Sequence, residues 1–398
     1  MTDTKAGHAT RSGMFVFPAI ERIVYGTPAA EAVPAEAQRL GAKRVFLMVS
    51  GTMNRETDEV AKLTRALGDR HAGTFDAMPP HTPREEVHEA ANRARAAEAD
   101  CIVTFGGGSL TDGGKIVRLA LQHKITDVDG FDAYRKRTNA DGTSTVPQFE
   151  GPRVPQIAVP TTLSAGEFNA SAGASDTRHN AKHSFRHPKL GPGVIVLDPA
   201  PTVHTPLWVW LSTGIRCLDH AVEGACSPSS NPVSDGSFLQ AISLLADALP
   251  RVKRDPADLD ARLDCQLAMW VAISGRAAGV SMGASHALGH ALGGTCAVPH
   301  GYTSCVMLPH VLRYNQAANA KRQEKVAAAM GLPGESAADA VSAFIGGLGL
   351  PRTLAEVNVA RDQFDKIAEH TMHDEWLHSN PRKIDRIEQV VEILEAAA

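Results

Sequence analysis

The chain has 398 residues, 43% of them hydrophobic, and a formal net charge of −4: long enough for two cores, and without the basic excess that a nucleic-acid or anionic-membrane partner requires. Its six cysteines, Cys101, Cys217, Cys226, Cys265, Cys296 and Cys305, form no CxxC pair, which argues against a zinc knuckle or redox dithiol and reads as reduced thiols. The polar opening MTDTKAGHATRSG lacks the apolar stretch of a signal peptide, and no apolar run reaches the roughly 20 residues of a membrane span, so a cytoplasmic protein with a small-molecule partner is expected.

Along the first half, short β-branched runs alternate with helical spacing, the pattern of βαβ units. Strands are predicted at RVFLMVS (44–50), DCIVTF (100–105), VPQIAVP (154–160) and GVIVLDP (193–199). Amphipathic helices are predicted at DEVAKLTRALGD (58–69) and PREEVHEAANRARAAEA (83–99). The polar, Gly- and Pro-bearing stretch 135–153 reads as a surface loop or flap. Beyond Pro199 only helical patterns follow, placing a boundary within 198–206.

In CIVTFGGGSLTDGGK, the residues Gly106, Gly107, Gly108 and Ser109 stand between a buried strand and a helix, with Asp112 one turn on. Glycines let a ligand approach the backbone, and free amides at a helix start attract phosphate oxygens, so this is a candidate pyrophosphate cradle, although it is not the GxGxxG fingerprint. Thr161, Thr162 and Ser164 end another predicted strand, at the sheet edge where parallel sheets bind ligands. After the first strand, Ser50, Gly51 and Thr52 occupy the place where a ribose-binding carboxylate is expected, and Arg55 is close, so either NAD or NADP is accommodated. These features predict an α/β dinucleotide-binding domain over residues 1–200 and an all-helical catalytic domain over 201–398.

The second half carries GASHALGHALGGTCAVPHGYTS. His286 and His290 are four apart and share a helix face, His300 follows a Gly-Gly break, and His220 in IRCLDHAVEG adds a fourth imidazole. Four candidates in this arrangement point to a functional site rather than to isolated structural histidines.

Together FGGGSLTDGGK, PTTLSAGE, VIVLDP, CLDHAVEG and SHALGHALGGTCAVPHGYTSCVMLPHVLRYN resemble the iron-containing alcohol dehydrogenase superfamily, and within it the maleylacetate reductase branch. The resemblance implies a cleft between the two domains where NAD(P)H transfers hydride to a ketone or oxo acid, and a homodimer. It also implies that Lys182, with His183 and Arg186, approaches the nicotinamide side and adds to an anion site. In metal-dependent relatives an Asp-x-x-x-His pair, the first His of HxxxH and the His of PHG hold a divalent ion; here those positions are Arg216, His220, His286 and His300. A guanidinium has no lone pair to give a cation, and Asp219, one residue from His220 and so about 100 degrees around the helix, is expected to face elsewhere. The expectation is a metal-free reductase in which Arg216 with protonatable His220 and His286 meets the developing oxyanion and His290 relays the proton. A metal-dependent alcohol dehydrogenase, a synthase that recycles its NAD, and a nucleotide-binding scaffold are the alternatives.

Overall fold

The computed structural model describes residues 12–138, 144–179 and 181–398. Its strands are β1 (Arg22–Tyr25), β2 (Val45–Val49), β3 (His71–Phe75), β4 (Cys101–Gly106), β5 (Arg137–Thr138), β6 (Ser144–Thr145), β7 (Gln156–Pro160), β8 (Ser171–Asp176), β9 (Ala181–Arg186) and β10 (Val194–Leu197). Six of them form one parallel sheet in the order β1-β10-β7-β4-β2-β3, while β5 pairs with β6 and β8 with β9 as antiparallel hairpins.

Helices α1 (Ala29–Arg39), α2 (Gly51–Glu56), α3 (Glu59–Leu67), α4 (Arg84–Ala96) and α5 (Gly108–Gln122) accompany the sheet. After it come α6 (Leu207–Cys226), α7 (Pro232–Arg254), α8 (Leu259–Ser274), α9 (Ala284–Cys296), α10 (His300–Ala329), α11 (Ala337–Gly347), α12 (Phe364–Met372) and α13 (Ile387–Ala396), with no strand beyond Leu197 among the described residues. Among the described residues no helix is long and apolar enough to cross a membrane.

The pleat explains why β2 is apolar throughout. Val45, Leu47 and Val49 pack with Ala29, Val33 and Leu63 on one face of the sheet, whereas Phe46 and Met48 pack with Val87, Ile116 and Val117 on the other. All four predicted strands are present, within two residues of their expected ends. The sequence reading missed β1, β3 and the β8–β9 hairpin, whose residues are short runs of half-exposed or small side chains without a continuous apolar signal. The stretch 135–153 contains the small β5–β6 hairpin rather than loop alone, with residues 139–143 outside the described ones, as is the opening segment 1–11.

Helix α6 organises the second half: sixteen of its residues, Arg216, Asp219, His220 and Glu223 among them, are buried. Packing this tight needs glycine at two crossings. A Cβ on Gly224 would lie 2.4 Å from the Phe238 ring, and one on Gly301 would lie 2.7 Å from the backbone carbon of Ser212, so Gly301 lets the start of α10, and with it His300, settle against α6. The two halves meet through hydrogen bonds from Thr205 Oγ1 to the Thr161 carbonyl (2.7 Å) and from Gln266 Nε2 to the Asp198 carbonyl (3.2 Å).

Candidate active site

The carboxyl ends of β2, β4 and β7 are adjacent in the sheet, which brings Ser50, the Gly106–Ser109 turn and Thr161, Thr162 and Ser164 together. Gly107 caps α5 without any side-chain bond, leaving the first amides of a 15-residue helix free for an anion. A side chain would fill this cradle: a Cβ on Gly108 would stand 2.9 Å from Ser164 Oγ, and one on Gly107 3.4 Å from Thr162 Cγ2. Gly106 sits at φ 152, a conformation only glycine adopts comfortably, and a Cβ there would meet Leu110 at 2.4 Å. The residues present therefore fit a dinucleotide pyrophosphate. Ser109 Oγ accepts the His81 amide, and Asp112 is engaged on both oxygens, by Lys115 Nζ (3.1 Å) and the Gly173 amide (2.9 Å), tying α5 to β8. Arg55 forms an ion pair with Asp76 at 3.8 Å.

The link from this edge to the histidines runs through the β8–β9 hairpin, which Asp112 ties to α5 and whose Lys182 acts on His300. The rings of His220 and His286 lie 4.7 Å apart, and those of His290 and His300 stack nearly parallel at 6.1 Å. The inner pair is buried and the outer pair is exposed. Burial first, then Arg216, holds His220 and His286 well below the usual histidine range; for His300 the charge of Arg216 is the largest influence. His220 and His286 were expected to be protonatable; desolvation and the Arg216 charge disfavour the protonated form of both.

Glu223, which the sequence reading missed, orients His286. Its Oε2 accepts the Gly283 amide (2.9 Å) and Oε1 accepts the Ser285 amide (2.8 Å), while His286 Nδ1 donates to Oε2 at 2.7 Å. Because both oxygens already accept amides, the imidazole proton belongs on Nδ1, which leaves a lone pair on Nε2. That Nε2 and His220 Nδ1 are buried and have no partner among the described residues. The spacing of His220 and Glu223, three apart on one helix, was the available signal.

Arg216 is buried at the centre of this wall. Its Nη1 donates to Ser304 Oγ (3.0 Å) and lies 3.6 Å from Asp219 Oδ2, which also accepts the hydroxyls of Ser285 (2.9 Å) and Ser304 (2.6 Å). Asp219 thus does not point away from the site as expected: α6 is covered on every side, and three residues along a helix is a neighbouring position. Burial raises the carboxyl pKa of both Asp219 and Glu223. Asp219, Glu223 and His286 have the spacing of a cation site, their ligand atoms lying within 4.8 Å of one another. What opposes an ion there is Arg216, whose permanent positive charge stands against the set; Asp219 Oδ2 and both Glu223 oxygens are engaged, while Asp219 Oδ1 and His286 Nε2 have no partner among the described residues.

At the mouth, His290 Nδ1 donates to Asp374 Oδ2 at 2.7 Å, and the other Asp374 oxygen accepts the Trp376 amide at 2.9 Å. Trp376 contacts both His286 (5.3 Å) and His290 (4.9 Å), and between these two residues Glu375 pairs with Lys136 of the first half at 2.9 Å. Neither Asp374 nor Trp376 carried a sequence signal. Of the anion residues expected on β9, Lys182 is exposed and its charge reaches His300, and that of Arg186 reaches Arg276. His183 alternates to the opposite face of the strand, where it is half-buried and the charges of Arg84 and Arg135 act on it, and so does not join them.

A dinucleotide cradle together with a buried Arg/His cluster fits an oxidoreductase acting on CH–OH or C=O groups. The chain belongs to the iron-containing alcohol dehydrogenase family: residues 20–199 match the family described as iron-containing alcohol dehydrogenase, and residues 210–398 its C-terminal region. It is 34% identical to Dehydrogenase FUM7 of Gibberella moniliformis over 94% of this chain and 96% of that one. It is 31% identical to Maleylacetate reductase 1 of Cupriavidus pinatubonensis over 93% and 94% of the two chains. The crystal structure of maleylacetate reductase from Agrobacterium tumefaciens superposes with a TM-score of 0.80 at 28% identity, covering 98% of each chain.

Proposed function

We propose that this protein reduces an oxo acid or related ketone with NADH or NADPH and without a metal ion. The observation that carries the reading is Arg216, a buried, permanent cation set among neutral imidazoles where metal-dependent relatives place an acidic ligand. The similarity to maleylacetate reductases supports the same class of substrate. A homodimer in the cytoplasm is part of this reading; sedimentation velocity checks the dimer.

The Gly106–Ser109 turn and the start of α5 would hold the coenzyme pyrophosphate, with Ser50, Thr161, Thr162 and Ser164 around it and Asp112 fixing the hairpin that carries Lys182. When bound, the coenzyme supplies hydride, that is, two electrons and one hydrogen, to the carbonyl carbon. The C=O π pair then moves to oxygen, and Arg216 lowers the energy of that oxyanion by Coulomb attraction in a site shielded from water. His286, held by Glu223, and His220 border the oxygen as neutral groups and so leave the cation uncontested. His290, half open to solvent and paired with Asp374, brings in the proton that forms the O–H bond, with His300 stacked beside it.

A metal-dependent alcohol dehydrogenase remains a second reading because of one observation, the partnerless buried nitrogens of His220 and His286. Exhaustive chelation with assay of oxo-acid reduction separates the two. Full activity with no metal in the purified protein supports the proposal; loss of activity restored by ferrous or zinc ion refutes it.

A further inference from the structure

The buried arginines Arg118, Arg262 and Arg84 each donate to two or more acceptors. Arg118 donates to the carbonyls of Val154, Leu190 and Gly191, Arg262 to those of Pro256 and Thr202, and Arg84 to Asp132 and Asp176. Arg276, in the turn between α8 and α9, is the contrast. Its Nε is out of contact with water, and none of its nitrogens has a hydrogen-bond acceptor or carboxylate partner among the described residues. Its guanidinium stands 5.5 Å from the ring of Trp376, the same indole that touches His286 and His290.

The charges around Arg276 make the lack of an acceptor more costly. Among the described residues Arg216 and Arg186 are the cations that act on it, and the one carboxylate that does so, Glu223, has both oxygens committed to amides and to His286. Arg186 likewise has no carboxylate partner among the described residues. Desolvation and these neighbours lower the Arg276 guanidinium to about 10, so it is a cation at neutral pH. A half-buried cation without an acceptor or carboxylate partner is a ready seat for an anion.

We propose that Arg276, stacked on Trp376 and backed by Arg186 across the cleft, binds a carboxylate of the substrate that is distinct from the carbonyl undergoing reduction. This rests on the oxo-acid reading and assigns the part of the site that makes the substrate an acid: Arg216 faces the reacting oxygen, and Arg276 the remote charge. The planar fork takes both carboxylate oxygens, and the Trp376 face keeps it oriented. Because Trp376 also covers His286 and His290, seating the acid next to it aligns the carbonyl with the imidazoles.

The test uses the full-length enzyme with a series of 3-, 4- and 5-oxo monocarboxylates, each beside its neutral methyl ester, and compares wild type with Arg276→Ala and Arg276→Lys. For the acids, Arg276→Ala is expected to lower kcat/KM by roughly 10- to 100-fold, mostly through KM, the loss of one charge-assisted bidentate contact. The esters should change by less than about 2-fold, and added guanidinium ion should restore part of the acid activity. If Arg276→Ala does not fold, Arg276→Lys, which keeps the charge and loses the fork, should show the same acid-selective defect in smaller measure. Equal losses on acid and ester would make Arg276 merely structural and overturn the proposal. A wild type that prefers acids and a variant that keeps the preference would overturn it while leaving the oxo-acid reading intact; a wild type that prefers the esters would refute the oxo-acid reading itself.

Discussion

The two parts of the site solve recognition in opposite ways. The sheet-edge wall uses backbone: glycines, free amides and uncharged hydroxyls drawn from three adjacent strand ends. The helical wall uses ionisable side chains taken out of water, Arg216, Asp219, His220, Glu223 and His286, all but His220 held by hydrogen bonds to groups tens of residues away in sequence. Partial charges fixed by the backbone do not change with protonation and tolerate neighbouring substitutions. A cluster of buried charges behaves as one electrostatic unit, so altering one member resets the others.

The largest expected effect therefore lies on the helical wall. Arg216→Asp places a second carboxylate beside Asp219 and removes the charge that faces the oxyanion. Steady-state kinetics should show oxo-acid kcat/KM falling by about 10³-fold or more, and denaturant unfolding a loss of about 3–5 kcal/mol. With Arg216 gone, His300 loses the main influence holding it below the usual histidine range, and its imidazole resonances should titrate at higher pH. Activity within about 10-fold of wild type would show that the unit picture, and the role given to Arg216, are wrong.

Glu223→Gln is milder, since it keeps the shape and removes the charge. It trades an oxygen accepting amides and the His286 proton for an amide group, leaving a donor facing donors at a cost of about 1–3 kcal/mol. Oxo-acid kcat should drop roughly 10- to 100-fold while the coenzyme dissociation constant stays within about 2-fold. Parallel losses in both would mean that Glu223 acts as a general scaffold rather than on His286.

The same contrast explains what could be read from the sequence. The sheet-edge wall is contiguous: FGGGS and PTTLS carry their chemistry within a few residues, because glycine's freedom and a strand end are local properties. His286 and His290 were legible for a similar reason, helical spacing. Asp374, Trp376 and Arg276 were not, since a carboxylate 84 residues from His290 becomes its partner only through tertiary packing. Asp219 was misjudged because helical geometry gives a direction but not what lies there; on a helix buried all round, every direction meets a neighbour. His183 was grouped with Lys182 and Arg186 because β9 was not recognised as a strand, whose alternation separates them.

On the sheet-edge wall a single methyl is the appropriate probe. Gly108→Ala would set a Cβ 2.9 Å from Ser164 Oγ, inside the cradle, on a helix position that tolerates alanine. KM for NADH or NADPH should rise about 5- to 20-fold with kcat nearly unchanged and the melting temperature within about 2 °C, since helix propensity offsets the contact. A fall in kcat with unchanged coenzyme KM would place the pyrophosphate elsewhere.

The smallest effect separates the walls from the seam beneath them. Glu167 is buried in the 166–168 turn with neither carboxylate oxygen bonded, and desolvation pushes it up to about 7 despite the nearby Lys115 charge. Its folded pKa is thus above the unfolded value, so its contribution is complete below about pH 4.5 and is lost as pH rises through 7, up to about 3 kcal/mol. Glutamine cannot ionise, so Glu167→Gln should leave turnover within about 2-fold and gain on wild type in melting temperature as pH goes from 5 to 8.5, by a few degrees. The side chain lies outside the charged cluster, so this gain should also appear in the Arg216→Asp background and add to that variant's loss. Melting curves that stay parallel across that pH range would mean that the carboxyl is already ionised and satisfied, and that buried charge is tolerated here without the partners the helical wall supplies.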